Sequence, residues 1–310
     1  MLPELGRSAW LSVDRIPSIA SQDGTRLEQR RQVSKTPMQV DTEALKEKAR
    51  RFRLDVLDMT TKYGGHLSSC YSATEIMTAV YFGDILRYRS DEPHWPERDR
   101  FIVSKGHAAP LLYAVLAEAG YLDHEDLGRF RQIDSPFHGH PVQDSVPGVE
   151  ITSGSLGQGL SFGLGHVLSG RLGNLDYRVF VLLGDGECEE GQIWEAAMSA
   201  AHFEADKLTV IVDYNKYQQN GPIRREMALE PFVEKWQAFG WRVEEVDGHD
   251  LEALVEALNA VREVVGQPQV LIAHTVKGKG ISFVESDYTY HGRGIASDMV
   301  AQAREEILCS

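Results

Sequence analysis

Two short apolar runs, Val179 to Leu183 and Leu208 to Val212, constrain this chain more than any other feature. Runs of this length without polar alternation suit strands buried on both faces. The stretch between them, Glu190 to Phe203, has helical composition, so the three together predict one βαβ unit. Similar alternation extends along the chain. Helices are expected at 41–62, 73–83, 109–119, 231–239 and 250–265, and strands at 101–103, 241–246 and 269–275. Residues 154–170 read as a glycine-rich loop running into a helix. Asp41 is an N-cap signal, with Leu45, Ala49, Phe52 and Val56 at helical spacing behind it. Leu251, Leu254, Val255, Leu258, Val261 and Val265 mark the buried face of the 250–265 helix. Strands alternating with helices predict an α/β fold, a parallel sheet with helices on both faces.

Gly184-Asp185-Gly186-Glu187 follows the first run, and Asn215 stands 30 residues after Asp185, just past the second. In a βαβ unit both lie at the carboxyl ends of parallel strands, where open α/β sheets bind ligands. One carboxylate and one amide oxygen suit Mg²⁺, a hard cation that takes few protein ligands and lets phosphate oxygens complete its shell. Gly184 and Gly186 admit a close backbone approach to those phosphates, and the following helix offers N–H groups and its positive dipole end. Gly-Asp-Gly alone is a common surface turn. The strands and the Asp-Tyr-Asn ending of the second run distinguish this one.

That segment, its spacing and the ending Tyr214-Asn-Lys-Tyr-Gln218 resemble the thiamine diphosphate motif of transketolases and related enzymes. Tyr63-Gly-Gly-His66-Leu-Ser-Ser-Cys70, Phe101-Ile-Val-Ser-Lys-Gly106-His107-Ala108, Gly139-His140-Pro141 and Ile151-Thr-Ser-Gly154-Ser-Leu156-Gly157-Gln158-Gly159-Leu160 each resemble a transketolase segment, in transketolase order. The resemblance implies the diphosphate-binding half of a transketolase. It gives Asp185, Asn215 and the backbone carbonyl of Tyr217 to Mg²⁺, and the Gly186 N–H to the diphosphate. Gly154, Leu156 and Gly157 fall in a loop under the cofactor's rings, and Glu190 matches a glutamate at the dimer interface. His66, His107 and His140 map onto histidines around the reaction centre, where neutral imidazoles near pH 7 can pass protons to and from substrate oxygens. His138 reads as structural or as a supporting residue. Lys277-Gly-Lys279-Gly and His291-Gly292 resemble a loop closing over the site. Some relatives carry a further histidine where this chain has Tyr288, which leaves Lys279 or His291 as its replacement.

At 310 residues with 42% hydrophobic content the chain can bury one large core. We read residues 1–40 as an N-terminal extension whose composition suits disorder, and 41–310 as the cofactor domain. A net charge of −14 argues against a nucleic-acid partner. Cys70, Cys188 and Cys309 have neither metal-ligand spacing nor a disulfide framework, which fits a cytoplasmic location, and no run approaches a membrane span.

Thiamine chemistry also requires a glutamate that activates the aminopyrimidine ring. Transketolases carry it in a later domain, with their acceptor-phosphate ligands. The expectation is therefore a separate C-terminal subunit holding that pyrimidine domain and the catalytic Glu, two of each chain assembling. The reaction expected is transfer of a two-carbon ketol unit from a ketose phosphate to an aldose. The alternatives are transfer of such a unit, or an acyl unit, to a carrier thiol or other specialised acceptor, and a non-catalytic regulatory homologue.

Overall fold

The computed structural model describes residues 40–309, so the expected N-terminal extension lies outside the described residues except for Val40. Five parallel strands, β1 (Arg100–Val103), β2 (Val179–Gly184), β3 (Leu208–Tyr214), β4 (Arg242–Asp247) and β5 (Gln269–His274), run in the order β1-β2-β3-β5-β4. Among the described residues the helices are α1 (Thr42–Tyr63), α2 (Leu67–Ser72), α3 (Thr74–Phe82), α4 (Ala109–Glu118), α5 (Gly159–Leu172), α6 (Gly191–His202), α7 (Ile223–Glu226), α8 (Phe232–Ala238), α9 (Leu251–Arg262) and α10 (Val300–Cys309).

The apolar runs behave as their composition requires. Every residue of β2 and β3 is buried, and successive side chains enter opposite cores. Phe180, Leu182, Ile211 and Leu271 join one core with α1, α3, α4, α9 and α10, whereas Val181, Leu183, Val210, Val212 and Ile272 join the other with α5, α6 and α8. Each such aliphatic side chain contributes about 1.5 to 3 kcal/mol by leaving water, so neither face can be left open. At α1 the Asp41 carboxylate accepts the Ala44 N–H at 3.1 Å, and Gly64 ends the helix in a left-handed conformation at φ 70°. α5 lies close on the sheet through Gly163, where an added Cβ would come within 2.6 Å of Val181.

Several boundaries differ from the expectation. The helix predicted at 73–83 is α3, and a further short helix not expected from the sequence, α2, precedes it and meets it at Ala73. α9 stops at Arg262, so Val265, assigned to its buried face, is 83% exposed: once the backbone leaves the helix the 3.6-residue period no longer directs that side chain inward. Asp185 is followed by a 3₁₀ turn, Gly186–Glu189, and α6 begins only at Gly191. The N–H groups that follow Asp185 directly in the chain therefore belong to that tight turn. β4 is an edge strand with mixed exposure, consistent with its charged sequence.

Candidate active site

The carboxyl ends of four neighbouring strands converge on one crevice. β1 delivers Ser104 and Lys105, β2 delivers Asp185, β3 delivers Asp213 and Asn215, and β5 delivers Thr275 and Lys277. A cavity of about 370 Å³ there is lined by Leu156, Asp185, Asn215, Tyr217, Lys277 and His291 among others.

Asp185 and Asn215 meet in this cavity as their spacing predicts. The Asp185 carboxylate accepts the Gly186 N–H at 2.8 Å and the Lys216 N–H, and Lys216 reaches it by adopting a left-handed backbone at φ 68°. Burial first and the charge of Asp213 second push the Asp185 carboxyl up to about 7. A site that raises an acid so far favours an arriving cation. The Asn215 amide is oriented by its neighbours: its Nδ2 donates to Asp213 at 3.3 Å, and its Oδ1 accepts the Tyr217 N–H at 3.1 Å. No group of three or more His, Cys, Asp and Glu among the described residues forms a metal cage. One carboxylate, one amide oxygen and space for phosphate oxygens fit Mg²⁺ held jointly with a diphosphate. Gly186 leaves the room required, since an added Cβ would lie 2.7 Å from the Gln218 side chain.

Asp213 and Glu187 escaped the sequence reading, and both organise this end of the site. Asp213 is fully buried and accepts from the Lys105 ammonium, Ser72 Oγ at 2.6 Å and Thr275 Oγ1, so four segments are tied at one carboxylate. Burial opposes its ionisation, but Lys105 and the two hydroxyls hold it below the usual carboxylate range. Glu187, also buried, accepts the Gly157 N–H at 2.9 Å, the Gly184 N–H at 3.0 Å and the Ser104 hydroxyl, while Ser104 Oγ accepts the Gly159 N–H at 3.0 Å. The one available signal was a charged residue directly at the end of a buried strand, for Lys105 and Asp213 alike.

The glycine loop is divided between the two ends of the site. Leu156 lines the cavity, and Gly157, at φ 84°, packs against Glu190. Gly154, at φ 129°, lies against the His140 ring instead. Glu190 is the residue preceding α6 rather than a member of its first turn, and it is exposed at the cavity.

The three predicted histidines converge, and a fourth joins them. The His66 ring lies 5.5 Å from His107, 5.7 Å from His140 and 5.3 Å from His291, and His107 lies 5.2 Å from His291. Burial, then His140 and Lys277, lower His66 to about 4. Burial, then Lys277, lower His291 to about 3. His107 is depressed by burial and Lys105, and His140 by burial and Arg131. All four are therefore neutral near pH 7, each with one donor and one acceptor nitrogen. Lys277 Nζ sits 3.0 Å from His291 Nδ1, and burial followed by Lys105 lowers its ammonium to about 8. Of the two replacements expected for the position of Tyr288, His291 occupies the cluster. Lys279 does not; it faces Glu285 at 3.8 Å. His138 is exposed and contributes its carbonyl to the Tyr113 hydroxyl.

Residues 44–308 match the family model described as "Transketolase, thiamine diphosphate binding domain". The chain is 41% identical over 273 residues to the transketolase of Homo sapiens, covering 87% of this chain and 43% of that protein. It is 36% identical over 270 residues to one subunit of the apulose-4-phosphate transketolase of Phocaeicola vulgatus, covering 87% of this chain and 95% of that relative. The crystal structure of transketolase from Campylobacter jejuni superposes with a TM-score of 0.81 at 30% identity, over 86% of this chain and 43% of that one. The chain thus spans less than half the length of the full transketolases it matches.

Proposed function

The chain belongs to the transketolase family through its thiamine diphosphate-binding domain, and from that premise we propose that it works as the N-terminal subunit of a two-component transketolase. In this reading residues 41–310 hold Mg²⁺ and thiamine diphosphate, and a separate subunit brings the pyrimidine domain, its catalytic Glu and the acceptor-phosphate ligands. The assembled enzyme transfers a two-carbon ketol unit from a ketose phosphate to an aldose. The observation that carries the proposal is the convergence of four neutral histidines, with the His107, His140 and His291 rings all within 5.7 Å of His66, next to the Asp185 and Asn215 cradle.

Asp185, Asn215 and the Tyr217 carbonyl would hold the metal, and the Gly186 N–H would meet the diphosphate. Leu156, from the loop fixed by Glu187, would face the pyrimidine. When bound, the cofactor supplies the carbon nucleophile that takes up the ketol unit. The protein's part is proton traffic and orientation. Lys277, as an ammonium, donates to His291 Nδ1 and leaves His291 presenting its Nε2–H. His66, His107 and His140 complete a ring of donors and acceptors around substrate hydroxyl and carbonyl oxygens. The exposed Glu190 and the half-buried Glu189, whose Oε1 has no partner among the described residues, suit a surface covered by another subunit.

Purification of the chain from its source, then native mass spectrometry with Mg²⁺ and thiamine diphosphate, tests the proposal. Two copies each of this chain and of a second chain, two cofactors and consumption of a ketose phosphate donor are expected. A homodimer without cofactor, or an assembled complex that leaves every ketose phosphate intact, refutes it.

A further inference from the structure

We propose that the buried Arg53 and Glu75 and the half-buried His249 form a polar chain that positions Lys277 and, through it, the His291 ring. The three residues lie in different elements, α1, α3 and the loop after β4, and they line a second cavity, of about 500 Å³, that shares no lining residue with the one containing Asp185. Arg53 grips Glu75 with two nitrogens at 2.6 and 2.9 Å, and His249 Nδ1 lies 2.9 Å from the same carboxylate. The opposite nitrogen of His249, Nε2, is 2.8 Å from the backbone nitrogen of Val276. A backbone N–H can only donate, so Nε2 is the bare acceptor and the proton sits on Nδ1, facing Glu75.

These contacts converge on the segment that carries Lys277. The Val276 N–H is tied to His249 on one side of it. On the other, the Gly278 N–H reaches the Ser68 carbonyl at 3.0 Å, and Arg53 Nε donates to the Lys279 carbonyl at 3.1 Å. Gly278 and Gly280 take left-handed conformations at φ 79° and 97°, so the backbone here has little stiffness of its own and its position must be imposed from outside. The hydrogen bonds that join Arg53, Glu75 and His249 supply such a constraint. Lys277 Nζ then spans Ser69 Oγ at 3.2 Å and His291 Nδ1 at 3.0 Å, which fixes the His291 tautomer. The catalytic consequence rests on the ketol-transfer reading, whereas the geometry does not.

The test compares His249→Ala with His249→Gln in the full chain. His249→Ala is expected to speed amide exchange at Val276–Gly280 by about tenfold while β2 and β3 exchange as in the parent. Ring nitrogen NMR should show His291 losing its single tautomer. His249→Gln, whose side-chain carbonyl can accept the Val276 N–H, should restore both. In the assembled complex kcat should fall about 10²-fold for His249→Ala with KM little changed, as misplacement of a reacting group predicts. If His249→Ala does not fold, Glu75→Gln, which keeps the side-chain volume, is expected to give the same NMR signature. A His291 tautomer and loop exchange identical to the parent in the folded variant overturn the inference. The NMR and exchange readouts need neither cofactor nor substrate, so they decide the matter even if ketol transfer is not the reaction.

Discussion

Glu187 and Gly157 stand 30 residues apart in sequence, yet the buried Glu187 carboxylate accepts the Gly157 N–H at 2.9 Å. The same carboxylate takes the Gly184 N–H and the Ser104 hydroxyl, so it binds the glycine loop, the end of β2 and the end of β1 into one cradle. Glu187→Ala would strand three buried donors. At about 1 to 3 kcal/mol for each unsatisfied group, a loss of about 3 to 9 kcal/mol is expected in urea unfolding. Glu187→Gln, which keeps one acceptor oxygen, should lose roughly half as much. Equal stability of Glu187→Ala and the parent would show that the cradle is held by something else.

Asp185 predicts the opposite balance. Burial and Asp213 oppose its charge in the folded chain, so Asp185→Asn should leave the melting temperature of the cofactor-free chain unchanged or higher. The same substitution should weaken Mg-dependent thiamine diphosphate binding by about 10²-fold or more, since it removes the one anionic metal ligand proposed. Calorimetric titration and thermal melts of a single preparation read both quantities.

The histidine cluster gives the chain an acid-sensitive stability. A histidine whose folded pKa lies below its unfolded value takes up a proton on unfolding, so its neutral burial costs nothing above that unfolded value of 6.5 and weighs against folding below it. Stability should therefore decline as pH falls from 6.5 toward about 4 for His66 and about 3 for His291. Glu75 acts in a lower window. Burial works against its charge, but Arg53 and His249 hold its pKa near 2, and its contribution is lost only as pH drops below the ordinary 4.5. Thermal unfolding from pH 8 to pH 3 should show both windows. The first should shrink in a His66→Gln, His291→Gln double variant and the second in Glu75→Gln.

The four imidazoles should separate chemistry from cofactor binding. Substitution of His66, His107, His140 or His291 by Ala is expected to cost about 10² to 10⁴ in kcat of the assembled enzyme. Thiamine diphosphate affinity should stay at the parent value, because the Asp185 and Asn215 end is untouched. A parallel fall in cofactor affinity would instead assign these rings to cofactor binding.

Much of the architecture is legible in consecutive residues. Val179–Leu183 and Leu208–Val212 suit buried strands, because a run with no polar face has no stable exposed arrangement. Their parallel pairing then brought Asp185 and Asn215 together at adjacent carboxyl ends. The Gly-His segments marked three of the four clustered rings. Helix ends were less legible, since the residue at which a helix stops depends on caps and packing that composition does not specify, as Val265 illustrates.

Sequence by itself thus determined the layered α/β architecture and the meeting of Asp185 with Asn215 at one end of the sheet, because local periodicity and strand direction are written in consecutive residues. Only the tertiary structure decided that Glu187 and Asp213 are the internal acceptors of the site, that His291 rather than Lys279 completes the cluster, and that Arg53, Glu75 and His249 converge on one loop. Those facts depend on contacts between residues 14 to 226 positions apart, where the hydrogen-bond partner of a buried charge is chosen by how the layers pack and not by its neighbours in the chain.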